Sequence, residues 1–193
     1  MNVVDRAKNL ILHPRQEWEA IAAEPHTVQD LYTGYVMILA AIPAVCYFIG
    51  FSLVGPTFVG VGYRVPIAHG VAHMISLYVL TIGFVYALAA FIDSLAPKFG
   101  GERNFIQSFK IAAFAPTPAW LAGIFYLIPA FSILTLLGLY SLYLLYMGLP
   151  RLMHVPEDKA LPYTAVAVMI AVFLTVFANA LAALMIPSQL RGF

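Results

Sequence analysis

The sequence predicts an all-α polytopic membrane protein, a bundle of five transmembrane helices with a short N-terminal cytoplasmic amphipathic segment. Three observations carry this. Residues 111–150 run without one Asp, Glu, Lys, Arg or His. A bilayer core of about 30 Å needs only about 20 helical residues, so this run holds two spans. The chain is 62% hydrophobic and 10% charged, against about 25% charged in ordinary soluble domains. A chain this short cannot enclose that much apolar surface, so lipid must cover it. Finally, 31–63, 65–92 and 160–190 also lack formal charge.

The elements follow in order. Residues 1–30 form a cytoplasmic or interfacial segment, and residues 31–193 the transmembrane domain. Val3, Val4, Ala7, Leu10 and Ile11 recur at helical spacing opposite Asp5, Arg6, Lys8 and Asn9. Pro14 opens a second short helix, whose Trp18, Ile21 and Ala22 form an apolar face. Trp18 is read as its interfacial anchor; a helix packed beneath the bundle is the alternative. No apolar signal-peptide core is expected in this charged stretch.

The spans are placed at about 31–54, 69–92, 105–127, 130–149 and 162–187. Thr27 with Asp30 has the form of a capping box before the first span, and Asn104 with Gln107 repeats it before the third. Pro162 suits the first turn of the fifth. Kinks are expected at Pro43 and at Pro116 and Pro118, and a tight turn at Pro129. Lys and Arg divide unequally. Arg6, Lys8, Arg15, Lys98, Arg103, Lys110, Arg151 and Lys159 fall on one side, against Arg64 and Arg191 on the other. The positive-inside rule then puts the N-terminus in the cytoplasm and the C-terminus outside.

The segment Leu-Ile-Leu-His-Pro-Arg-Gln-Glu-Trp-Glu-Ala-Ile at 10–21, Ala-Pro-Thr-Pro-Ala-Trp at 115–120 and the Tyr-rich run at 138–150 resemble the bacterial branch of the Yip-one (Ypt-interacting protein) family. The resemblance covers almost the whole chain and implies five spans in a bacterial inner membrane. Asp30, Leu31 and Tyr32 match that family's Asp-Leu-Tyr-x-Pro motif, with Gly34 where its proline would stand. Eukaryotic members bind Rab-type GTPases. Bacteria lack that trafficking system, so the role is not carried over.

Few residues suggest chemistry. His69 and His73, spaced i, i+4, share a helix face and are the candidate metal ligands. Two ligands are short of a zinc site, and interfacial hydrogen bonding is the competing reading. Asp93, at the far end of the same helix, is a solvated boundary residue or an ion site. Lys110 is expected to snorkel to the headgroups or to pair with Asp93. Pro116, Thr117 and Pro118 break a helix at depth, as transporter sites do and as ordinary kinks do. Asn179 suits an interhelical hydrogen bond better than a transport site. Cys46 is read as a packing residue.

The scattered basic residues argue against a nucleic-acid partner. No nucleotide-binding loop, serine elbow or zinc-protease motif is present, so neither an enzyme nor a cofactor is expected. The function that remains is a membrane scaffold or adaptor working through lipid, other membrane proteins or self-association. The alternative is a small homo-oligomeric transporter or channel.

Overall fold

The computed structural model describes residues 2–55, 57–58, 61–62 and 64–184, and not the side chains of 57–58, 61–62, 179 and 182–184. Among the described residues its regular structure is helical, apart from a minimal antiparallel hairpin pairing Thr57–Phe58 with Val61–Gly62. Two short helices, α1 (Val3–Leu12) and α2 (Pro14–Ala23), precede the first long one, α3 (Val28–Val54). Then come α4 (Ile67–Leu95), α5 (Phe105–Phe114), α6 (Thr117–Ala122), α7 (Tyr140–Met153) and α8 (Glu157–Leu184). Between α6 and α7 lie two 3-10 helices, Gly123–Leu127 and Pro129–Leu139.

Several local expectations hold. Thr27 and Asp30 form the reciprocal capping box that starts α3. Asn104 accepts from the Gln107 N–H, although the Gln107 side chain turns elsewhere. Ile128 is extended, and Phe131 N–H bonds back to its carbonyl at 2.8 Å, so the chain reverses at Ile128–Pro129. By contrast, α8 begins at Glu157, leaving Pro162 inside the helix rather than in its first turn. Helix α3 continues through Pro43, with π-helical stretches at Tyr32–Val36 and Ile49–Val54.

The five expected spans are not all single unbroken helices. Among the described residues, four helices are long and apolar enough to cross a membrane: Val28–Val54, Ile67–Phe99, Pro129–Met153 and Glu157–Ala178. The third expected span, 105–127, is split into α5, α6 and a 3-10 turn. Its prolines are the cause. Pro116 and Pro118 supply no N–H, so the ladder stops at Phe114 and restarts at Thr117. This broken leg and the Pro129–Met153 leg pack against each other as a hairpin.

Close approach is achieved with glycine. A Cβ at Gly50 would overlap the carbonyl oxygen of Tyr126, locking α3 to the end of the broken leg.

Burial is uneven along the bundle. The largest fully buried side chains, from Trp18 and Tyr35 to Phe109, Phe114, Leu149 and Tyr163, all lie within 1–36, 86–118 and 143–168. Most exposed large apolar residues lie elsewhere, among them Ile38, Val45, Ile75, Val79, Ile133, Leu137, Met169 and Phe173. One end of the bundle has a packed interior of its own. The other presents its apolar side chains outward, as a lipid-covered surface does.

Candidate functional site: the polar seam at the packed end

At the packed end α1 and α2 fold into a helical hairpin against α6 and α7. Its apolar face is the one read from sequence: Leu10, Trp18 and Ile21 are fully buried. Trp18, expected as an interfacial anchor, is therefore corrected to a core residue. Its ring lies where a Cβ on Gly148 would stand 2.9 Å away, so the bare backbone of α7 makes its pocket.

The hairpin is tied internally by Arg6. Its guanidinium donates to Glu17 Oε1 at 2.5 Å and to Glu24 Oε1 at 2.7 Å, and lies 5.8 Å from the Phe114 ring centre. Burial pulls the Arg6 pKa down, but hydrogen bonds and charge from Glu24 and Glu17 outweigh it and raise it overall. The same hydrogen bond from Arg6, stronger than the opposing effect of burial, holds the Glu24 carboxyl below its ordinary value.

Lys110 ties the hairpin to the bundle. It is 2% exposed and donates to the carbonyls of Ile21 at 2.8 Å, Ala22 at 3.3 Å and Glu24 at 2.7 Å. These are the oxygens that the end of α2 leaves without helical partners. A cation at a helix C-terminus also meets the negative end of its dipole. Lys110 neither snorkels nor pairs with Asp93. Gln107 adds a bond from Nε2 to the Ala22 carbonyl at 3.1 Å. A cleft of about 410 Å³ opens beside these groups, bordered by Glu24, His26, Asp30, Gln107 and Lys110.

The family-motif residues join this seam. Asp30 caps α3, Leu31 is fully buried, and the Tyr32 hydroxyl donates to the Ile82 carbonyl at 2.9 Å. The Tyr32 ring meets Phe109 edge-on, with centres 4.9 Å apart. Above it the proline break is sealed. Thr117 donates to the Phe114 carbonyl at 2.6 Å, the acceptor that Pro118 leaves free, and Tyr35 lies 2.7 Å from the Thr117 hydroxyl. Pro118 is buried and Pro116 half-buried.

The other candidates lie apart. Asp93 takes two hydrogen bonds on Oδ2 from Arg103, at 2.8 and 3.0 Å. Near the opposite end of α4, the buried Nδ1 atoms of His69 and His73 and the Ser52 hydroxyl have no hydrogen-bond partner among the described residues. The His73 ring centre is 4.9 Å from that of Tyr47. No third His, Cys, Asp or Glu completes a metal-binding group with the two histidines among the described residues. Asn179 lies on α8, and its side chain falls outside the described residues.

An apolar helical bundle with several membrane-length helices, its buried charges held by side-chain partners or, at Lys110, by backbone carbonyls, defines a polytopic membrane protein. The Yip1 domain matches residues 8–178, and the chain belongs to that family. It is 28% identical to the inner membrane protein YohC of Escherichia coli K12 over 169 residues, covering 84% of this chain and 86% of the relative. YohC of E. coli O6:H1 matches to the same extent. No solved structure matches.

Proposed function

We propose that this chain is a non-enzymatic scaffold or adaptor of the bacterial inner membrane, acting through lipid contacts and contacts with other membrane proteins or further copies of itself. The observation that carries it is how the buried charges are used. Lys110 and Arg6 are engaged by other parts of the chain and build the seam on the cytoplasmic face, and Asp93 is held on Oδ2 by Arg103. The resemblance to YohC supports the inner-membrane location. The broken leg, 105–127, serves as a fifth crossing. An odd number of crossings with the Lys and Arg imbalance puts the N-terminus in the cytoplasm and the C-terminus outside.

A second reading is a small transporter. The unpaired Ser52 hydroxyl and His69 and His73 nitrogens favour it, since enclosed polar groups without partners are costly in a membrane and mark solute or metal paths. Flux from purified protein in liposomes separates the two. The scaffold reading expects no solute movement above empty liposomes. Movement abolished by His69→Ala/His73→Ala would overturn it.

A further inference from the structure

We infer that the tip of the α1–α2 hairpin is a binding surface for anionic phospholipid headgroups. The inference rests on the scaffold reading and names the chemistry of its lipid contact. It begins with direction. The C-terminal end of α2 is held by Gln107 and Lys110, in the first turns of α5. The turn between α1 and α2 sits much further along the bundle, because Ile11 accepts a hydrogen bond at 3.2 Å from Tyr140, the first residue of α7. At 1.5 Å per residue, the ten residues of α2 carry the tip about 15 Å from the closed end toward the lipid-facing half.

The tip arrives where the outward apolar surface begins. Leu142, Tyr143 and Tyr146 of α7 are all more than two-fifths exposed. The tip has its own apolar points in Ile11 and Leu12, 36% and 57% exposed. Charge is graded along both helices. Exposed Lys8 and Arg15 lie within about one turn of the tip, and exposed His13 lies in the turn itself. Exposed Asp5 and Glu19 lie about a turn further away. Cations beside exposed leucine and isoleucine, with acids set back, complement an anionic headgroup layer over acyl chains.

The test uses the full chain with Cys46→Ala and a fluorophore attached at Leu12→Cys, reconstituted in nanodiscs of phosphatidylcholine with 30% phosphatidylglycerol. Quenching is compared when the nitroxide is carried by phosphatidylglycerol or, at equal mole fraction, by phosphatidylcholine. At about fivefold preference per basic residue near an anionic surface, labelled phosphatidylglycerol should be enriched at the tip severalfold. That preference should vanish in Lys8→Gln/Arg15→Gln. Equal quenching by both lipids would overturn the anionic preference, and quenching by neither would place the tip in water or against protein. Cross-linking of Leu12→Cys between copies would assign the surface to a second chain instead. Any of these results obtained without solute flux sinks the lipid site and leaves the scaffold reading standing.

Discussion

Lys110 shows what one residue contributes here. Its three carbonyl partners lie 86 to 89 positions away in sequence, so nothing local could have announced the contact. Sequence reasoning treated Lys110 as a snorkelling cation because the helical pattern places it one turn into an apolar run. The contrary signal was weak: α2 ends without Gly, Lys or Arg to satisfy its carbonyls. Replacing Lys110 by Met removes this donor from the Ile21 and Glu24 carbonyls, while Ala22 keeps Gln107, at an expected cost of about 2–4 kcal/mol. The measurement is thermal unfolding in detergent, with limited proteolysis of 23–27. Unchanged melting and unchanged cleavage would show that the ammonium does not hold the hairpin.

The Arg6–Glu24 contact makes a pH prediction at the same scale. The folded chain keeps Glu24 ionised at a pH where the unfolded chain has begun to bind a proton there. The contact's stabilisation is therefore complete above the ordinary glutamate range and is lost as pH falls through the lowered value. Compared with Glu24→Gln, the native chain should be more protected from amide exchange in α1 at neutral pH, and the difference should shrink and then disappear as pH falls below the ordinary glutamate range. A difference that persists in acid would contradict the assignment.

At the scale of elements, the legible parts were those fixed by local chemistry. The capping box at Thr27, the reversal at Pro129 and the break at Pro116–Pro118 depend on residues within four positions of one another. The apolar stripe Leu10, Trp18 and Ile21 was equally legible, but its partner was not. Periodicity gives the face of a helix and never what covers it. Lipid and the bare backbone at Gly148 look alike to a hydrophobic stripe. Because a Cβ at Gly148 would meet Trp18 at 2.9 Å, Gly148→Ala should destabilise by about 1–3 kcal/mol through overpacking. Combining it with Trp18→Phe, which empties space beside the new methyl, should recover part of that loss. Melting temperatures of the two single variants and the pair measure the coupling. Purely additive losses would mean that the two residues do not press on each other.

For the whole molecule, composition alone indicated the membrane, because no other solvent accommodates this much apolar surface. The number of crossings was harder to read. Hydropathy counts apolar residues, whereas a crossing also needs an unbroken or resealed backbone, and the Tyr35 hydroxyl that backs the local Thr117–Phe114 bond in the third leg is a tertiary contact. Candidate metal or transport residues were less legible still, since a pair of histidines one turn apart looks the same whether or not a third ligand approaches. The topology yields a direct prediction. A C-terminal reporter active only in the periplasm should be active, and the same reporter at the N-terminus silent. The reverse pattern would overturn the charge-based orientation, and matching activity at both ends would mean an even number of crossings.

The Pro129–Leu139 helix is longer than the same residues would be as an α-helix. Wound as a 3-10 helix it rises about 2.0 Å per residue, against about 1.5 Å in an α-helix. Its eleven residues thus store about 5 Å of extension, close to one α-helical turn. The stretch feeds directly into Tyr140, whose hydroxyl holds the hairpin at Ile11. Rewinding the leg in a thinner bilayer would draw its outer end inward or move Tyr140 along the membrane normal. Bilayer thickness would then act on this chain as a mechanical input, taken up by a spring of eleven residues.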